Sequence, residues 1–173
     1  MMLKFGTTAA CRALAGTIAI VATSACTRGE PAKPAADSAF TAMQKRGGMA
    51  MGVDQYTSAH KFDTTPDGGR IELQRETSDS LGVAQIRAHL KLIQHAFQAG
   101  DFSTPAFVHG HDMPGTAVMT KKRNAITYSY ADLPLGGEVR ITSSDPEAIA
   151  AIHEFMVAQR SEHHAGGSMP MAR

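Results

Sequence analysis

The chain of 173 residues contains the same local pattern twice, and this repeat restricts the fold more than any other feature. In each copy a strand-like run is followed by a turn, a second strand-like run and a helical run. The turns contain Gly68-Gly69 in the first copy and Gly136-Gly137 in the second. A glycine pair between two alternating runs is typical of a β-hairpin. The sequence therefore predicts an internally duplicated ββα-ββα unit.

The spacing of apolar residues supports this pattern. In the strand-like runs apolar and polar residues alternate, which indicates a sheet with one buried face. In the helical runs, about 81–99 and 146–162, apolar residues recur every three or four positions, so each helix has one apolar stripe. We expect an α+β fold in which a four-stranded antiparallel sheet is covered on one face by two helices. The alternating positions are Phe62, Ile71, Leu73, Ile126, Tyr128, Tyr130, Val139 and Ile141.

The N-terminal segment has the features of an export signal. Lys4 and Arg12 precede an apolar run over residues 13–25, which is shorter than the roughly 20 residues that span a bilayer. The run ends in Thr23-Ser24-Ala25-Cys26, which resembles a bacterial lipobox. The sequence predicts a lipoprotein-type signal peptide over 1–25 and a periplasmic protein anchored to the outer membrane through acylated Cys26. The alternative is conventional cleavage, which yields a soluble periplasmic protein.

The remaining chain divides by composition. Residues 26–52 are predicted to form a flexible tether, because prolines and a Gly-Gly pair lie among small and polar residues. Residues 53–165 form the single α+β domain, and 166–173 are predicted to be a disordered tail. Within the domain, a long connection over 101–124 contains a possible short strand at 106–109.

Charge and cysteine content exclude several classes of function. All 16 acidic residues follow residue 25, as do all basic residues except Lys4 and Arg12, so the mature part is nearly neutral. A neutral domain lacks the basic surface that nucleic acid requires, and no nucleic-acid partner is expected. Cys11 and Cys26 both precede the domain, which therefore has no disulfide, thiol nucleophile or cysteine-based metal site.

A cluster of metal-ligand residue types occurs in the long connection, where His109, His111 and Met113 are spaced two apart. In an extended chain these side chains lie on one side, and imidazole with thioether is a donor set that suits copper. Met49 and Met51 could complete such a site if the tether folds back.

Three further histidines are candidate ligands at the edge of the helix layer. His60 has the strand parity of buried Phe62, His89 flanks the apolar stripe of the first helix, and His153 occupies the corresponding flank of the second. A buried imidazole more often has a structural hydrogen-bond partner, and this alternative stays open. His163 continues the stripe of the second helix.

Recognised catalytic motifs are not found. His153-Glu154 begins a zinc-protease motif, but Val157 replaces its second histidine. The two glycine pairs lie between strands and therefore do not form phosphate loops. The sequence predicts no catalytic residues.

Several short motifs between residues 51 and 163 together resemble a family of small exported bacterial proteins. The resemblance implies no cofactor, and it implies that His60, His89, Pro114, Gly115 and His153 belong to the family pattern. Some members carry the name aspartate carbamoyltransferase, but this chain lacks the Ser-Thr-Arg-Thr-Arg phosphate loop of that enzyme. The motifs are Met51-Gly52-Val53-Asp54-Gln55, His60-x-Phe62, Gly68-Gly69-x-Ile71, Gln85-Ile86-Arg87-x-His89-Leu90, Pro114-Gly115 and Ala151-Ile152-His153-Glu154-Phe155.

Three functions are compatible with these patterns. The first is an envelope interaction or binding module, in which the exposed sheet face meets a protein partner. The second is a periplasmic copper-binding protein that uses the His and Met ligands above, and the third is an enzyme with the carbamoyltransferase name. The residues predicted to point outward from the sheet are Lys61, Asp63, Thr127, Ser129, Glu138 and Arg140.

Overall fold

The computed structural model describes residues 35–52 and 57–165. Its elements follow the predicted order, with one helix before the first hairpin and two short helices between the copies. These elements are α1 (Ala35–Met51), β1 (Ser58–Thr65), β2 (Gly68–Arg75), α2 (Ser80–Ala99), α3 (Ser103–His109), α4 (Thr116–Lys121), β3 (Ile126–Leu133), β4 (Gly136–Ser143) and α5 (Pro146–Glu162).

The four strands form one antiparallel sheet in the order β1-β2-β4-β3. The two hairpins meet at the centre, where β2 pairs with β4 and Ile71 lies opposite Val139. These two residues are equivalent in the repeat, since each comes two positions after its glycine pair. A pseudo-two-fold axis therefore passes between them, and the predicted ββα duplication is confirmed.

Each long helix packs on the hairpin of the other copy. Helix α2, which follows β1 and β2, contacts mainly β3 and β4, whereas α5 contacts mainly β1 and β2. Both apolar stripes are buried, including Ile86 in α2 and Ile152 in α5. The two-layer α+β prediction is confirmed, and the interleaved packing joins the two copies into one core.

Part of the predicted tether is a helix. Residues Ala35–Met51 form α1, in which Met43 is buried and the Arg46 guanidinium donates to the Val108 carbonyl oxygen at 2.8 Å. The prediction of a flexible tether over 26–52 is therefore wrong for this stretch. Gly47-Gly48 gives the segment a weak intrinsic helix propensity, and contacts with the domain stabilise the helix despite it.

The other segment predictions at the chain ends lie outside the described residues. These are the signal peptide over 1–25, Cys26, the first part of the tether over 26–34 and the tail over 166–173. They remain predictions from the sequence.

The connection between the copies is helical, so the prediction of a short strand at 106–109 is wrong. Gly100 ends α2 in the left-handed conformation, and the Asp101 carboxylate accepts from the Ser103 amide at 2.8 Å where α3 begins. Gly115 precedes α4 with φ of 81°, and a Cβ there would lie 2.1 Å from the Ala151 carbonyl oxygen. Glycine is thus required where α4 approaches α5.

Candidate ligand pocket

A cavity of about 80 Å³ lies between the β1–β2 hairpin and the helices, and residues of α1 and α3 complete its wall. Its lining is largely apolar, but four imidazoles and one amide also face it. The apolar lining includes Met51, Phe62, Ile71, Leu73, Leu90, Ile93, Phe97, Pro105, Val108 and Phe155. The polar lining includes His60, His89, His109, Gln159 and His163.

His60 and His163 form the centre of this group. His60 lies on β1 with the parity of Phe62, as predicted, and His163 caps the C-terminus of α5. Their rings stack with centroids 4.8 Å apart and planes inclined by 22°. Within the described part of the chain, neither ring forms a hydrogen bond. Both residues are half-buried, and none of their ring nitrogens is among the fully buried polar atoms that lack a partner in this part of the chain, so water or a ligand in the pocket can reach them.

Burial keeps three of the pocket histidines uncharged. Desolvation lowers the pKa of His60 to about 4, and the nearby His89 and His109 lower it further. Desolvation also lowers the pKa of His89 to about 4, although a hydrogen bond to the Ala50 backbone opposes the shift. The pKa of His163 falls to about 2, first through burial and then through neighbouring histidines. At neutral pH each of these rings has a free acceptor nitrogen.

His109 is fixed from behind by a carboxylate. Its Nδ1–H donates to Glu162 Oε2 at 2.7 Å, while Nε2 lies 3.0 Å from Gln159 Oε1. The His109 side chain is only 1% exposed, and its ring is 4.9 Å from that of His163, at 81°. A carboxylate that orients an imidazole in this way is typical of histidines that bind a ligand or metal.

The spacing of His109, His111 and Met113 does not produce a common site. Helix α3 extends to His109, and Gly110 then turns the chain with φ of 81°. His111 is directed outward, where its Nε2 lies 3.2 Å from Glu162 Oε2, and Met113 is buried in the main core. The expected extended chain is therefore wrong: His109 and His111 still meet at Glu162 Oε2, with ring centroids 6.2 Å apart, but Met113 is directed into the core.

His111 lies outside the pocket, and a contact with the backbone of Asp112 raises its pKa. The ring donates from Nδ1 to the Asp112 carbonyl oxygen at 3.0 Å, which favours the charged form, and the Glu162 carboxylate adds to this effect. His111 is thus an exposed, readily protonated residue, unlike the pocket histidines.

His153 also lies away from the pocket. Its Nε2 donates to the Thr65 carbonyl oxygen at 2.9 Å, at the end of β1. In the first copy the corresponding residue, Arg87, donates to the carbonyl oxygens of Leu133 and Gly136 at 2.7 and 2.9 Å. Of the three edge histidines, His60 and His89 therefore come together in the pocket, whereas His153 ties a helix to a hairpin.

Sequence reasoning did not select His163, Gln159 or Glu162 as site residues. A signal for the first two was present, because the apolar stripe of α5 continues into polar residues. The corresponding positions of α2 are Ile93 and Phe97, which are buried. Gln159 and His163 therefore break the repeat at the two positions where they make the pocket polar. The contribution of Met51 depends on α1, which was not predicted.

In the ranges 35–52 and 57–165, no three side chains of His, Cys, Asp or Glu are arranged as they stand to hold a metal ion. None of the helices in these ranges combines the length and the hydropathy that a membrane-spanning helix needs. Comparisons of the chain with protein-family models, curated proteins and solved structures give no match.

Proposed function

We propose that this chain is an exported binding module that takes up a small ligand in the histidine pocket. The export signal and Cys26 support a location in the periplasm, anchored to the outer membrane by acylation. The pocket supports binding, and its chemistry defines what can enter.

The observation that carries the proposal is the pair of unbonded imidazoles, His60 and His163, in an apolar cavity. Imidazole nitrogens that face a pocket and form no hydrogen bond within the described chain are open to an ion, a water or a ligand. Because the corresponding residue of His163 is Phe97, the fold accepts an apolar ring at this position. The histidine therefore has a role that the apolar residue could not fulfil.

The size of the cavity limits the ligand. An engineered cavity of about 150 Å³ holds benzene. A cavity of about 80 Å³ accordingly accepts one ion or a molecule of a few heavy atoms. Next to the pocket is an exposed apolar groove, which shares His89 and Ala50 with it and includes Leu92 and Phe107. This groove offers an entry path.

The pocket chemistry gives no support to carbamoyl phosphate as a substrate. Among its described lining residues there is no lysine or arginine to neutralise a phosphate group. The alternative of a protein partner on the outward sheet face also has less support. There Lys61 pairs with Glu72 at 2.9 Å and Arg70 with Asp63 at 2.7 Å, so the charges already satisfy one another.

The proposal is tested by native mass spectrometry of the full chain extracted from its own cell envelope. We expect the wild-type protein to carry a mass above that of the lipidated polypeptide. The Ala50→Phe variant, which fills the pocket from α1, should carry none. His95→Gln removes an exposed imidazole from α2 and should retain the extra mass. His60→Phe provides a second pocket variant, and thermal unfolding confirms that each variant is folded. The same extra mass on the wild-type protein and on both pocket variants, or no extra mass on any of them, would contradict the proposal.

A further inference from the structure

We propose that the ligand of the pocket is monovalent copper, bound by His60, His163 and the thioether of Met51. This inference rests on the proposed binding function and names the ligand class. It assigns a site distinct from the loop residues His111 and Met113.

The donor atoms around the cavity match a soft ion. His60 and His163 each have ring nitrogens without a hydrogen bond in the described chain, and the sulfur of Met51 belongs to the same lining. Thioether ligands select monovalent copper, and imidazole also binds copper well. Helix α1 brings Met51 to this position, where its side chain is buried.

Charge favours a monovalent ion over a divalent one. All three proposed donors are neutral, and the surrounding wall is apolar, so the ion keeps its full charge in a poorly solvating environment. A divalent ion would double the charge without an anionic ligand. The Glu162 carboxylate, which binds the far side of His109, lies behind the pocket and partly offsets a single positive charge.

The separation of the imidazoles is suitable for a shared ion. With nitrogen–metal bonds of about 2 Å, two imidazoles on one ion have ring centroids about 5 to 6 Å apart, depending on the angle at the ion. The His60 and His163 centroids are 4.8 Å apart. The rings now lie nearly parallel, so at least one must rotate to direct its nitrogen at the ion. Since neither ring is held by a hydrogen bond, this rotation breaks none.

A third imidazole lies close enough to assist. The His109 ring is 4.9 Å from that of His163 and perpendicular to it. Its Nδ1 is already held by Glu162, and its Nε2 lies 3.0 Å from Gln159 Oε1, so we assign it a positioning role behind the two unbonded rings.

The test is an anaerobic titration of the full chain with monovalent copper in competition with bicinchoninate. We expect one equivalent of copper to move from the chelator to the wild-type protein. Outer-shell changes at metal sites cost about 10- to 100-fold in affinity. On that scale His60→Phe and His163→Phe, which remove ligands, should weaken binding by at least about 100-fold. Met51→Leu should weaken it by about 10-fold.

A matched control separates this site from other histidines. His95→Gln removes an exposed imidazole from α2 and should leave the affinity unchanged. A wild-type protein that cannot compete with the chelator would overturn the copper assignment, as would pocket variants that bind like wild type. Thermal unfolding of each variant establishes that lost binding is not lost folding.

X-ray absorption at the copper edge identifies the donors. We expect nitrogen neighbours and one sulfur neighbour, with the sulfur signal lost in Met51→Leu. A spectrum with nitrogen or oxygen neighbours alone would overturn the assignment of Met51. Preferred binding of zinc or divalent copper over monovalent copper would overturn the ion identity.

The failure of this inference differs from the failure of the proposed function. If the protein extracted from the envelope carries an organic molecule and does not bind copper, the proposed binding function stands and the assignment of copper as the ligand is wrong. If the extracted protein carries no ligand and also fails to bind copper, both are wrong.

Discussion

Arg87 and His153 lie at equivalent positions in the two copies and perform the same structural task. Each comes eight residues after the aspartate that caps its helix, Asp79 or Asp145. Each also donates to carbonyl oxygens at the turn of the other copy's hairpin. The two long helices are therefore tied to the sheet by matching contacts, even though the side chains differ in chemistry.

His153→Ala should lower the free energy of unfolding by about 1 kcal/mol, because one hydrogen bond to the Thr65 carbonyl oxygen is lost. Urea denaturation measures this change. Arg87→Ala removes two such bonds and should cost more. Ligand uptake should be unchanged in His153→Ala. A loss of uptake without a loss of stability would show that His153 belongs to the site.

The stability of the ligand-free protein should fall on acidification below about pH 6.5. His60 and His89 have folded-state pKa values of about 4 and His163 of about 2, against 6.5 for an ordinary histidine. Between these values the unfolded chain binds more protons, so the stability present above pH 6.5 is lost as the pH falls toward 4. Each group contributes a slope of up to about 1.4 kcal/mol per pH unit.

Urea denaturation between pH 7.5 and 5 measures this slope. In the double variant His60→Phe, His163→Phe the slope should be clearly shallower, since two of the three groups are gone. A wild-type stability that stays constant across this range would contradict the burial of neutral imidazoles.

The sheet and its two covering helices could be predicted because they follow from short-range periodicity. Alternation along the strands and the stripes of α2 and α5 are local patterns, and they also placed His60 and His89 toward the helix layer. Helix α1 could not be predicted in this way, because its stability depends on distant contacts such as that of Arg46 with Val108.

The pocket could be predicted only in part from the sequence, because it also depends on how distant segments pack. The loop hypothesis requires an extended chain through His109, but α3 ends there and Gly110 turns the chain, so that Met113 is buried in the core instead of joining the two histidines. Comparison of the two copies would have been more informative. The second copy has Gln159 and His163 at the positions where α2 has Ile93 and Phe97. The second copy therefore has polar residues where the first has apolar core residues.

Export and anchoring depend on Cys26, which lies outside the described residues. In the producing bacterium, Cys26→Ala should abolish incorporation of labelled palmitate and release the protein into the soluble periplasmic fraction. Cell fractionation and metabolic labelling test this. Retention of a full-length, unlabelled wild-type chain in the cytosol would contradict the export prediction, and a cleaved but unlabelled wild-type chain would support the soluble alternative.

The fold keeps His60 and His163 open for binding at a cost in stability. The most direct measurement is the free energy of unfolding of ligand-free His163→Phe against wild type. We expect an increase of about 1 kcal/mol, because a half-buried imidazole without a hydrogen bond in the described chain is replaced by an apolar ring like that of Phe97. A decrease of similar size would show that His163 is a structural residue and would contradict its role in binding.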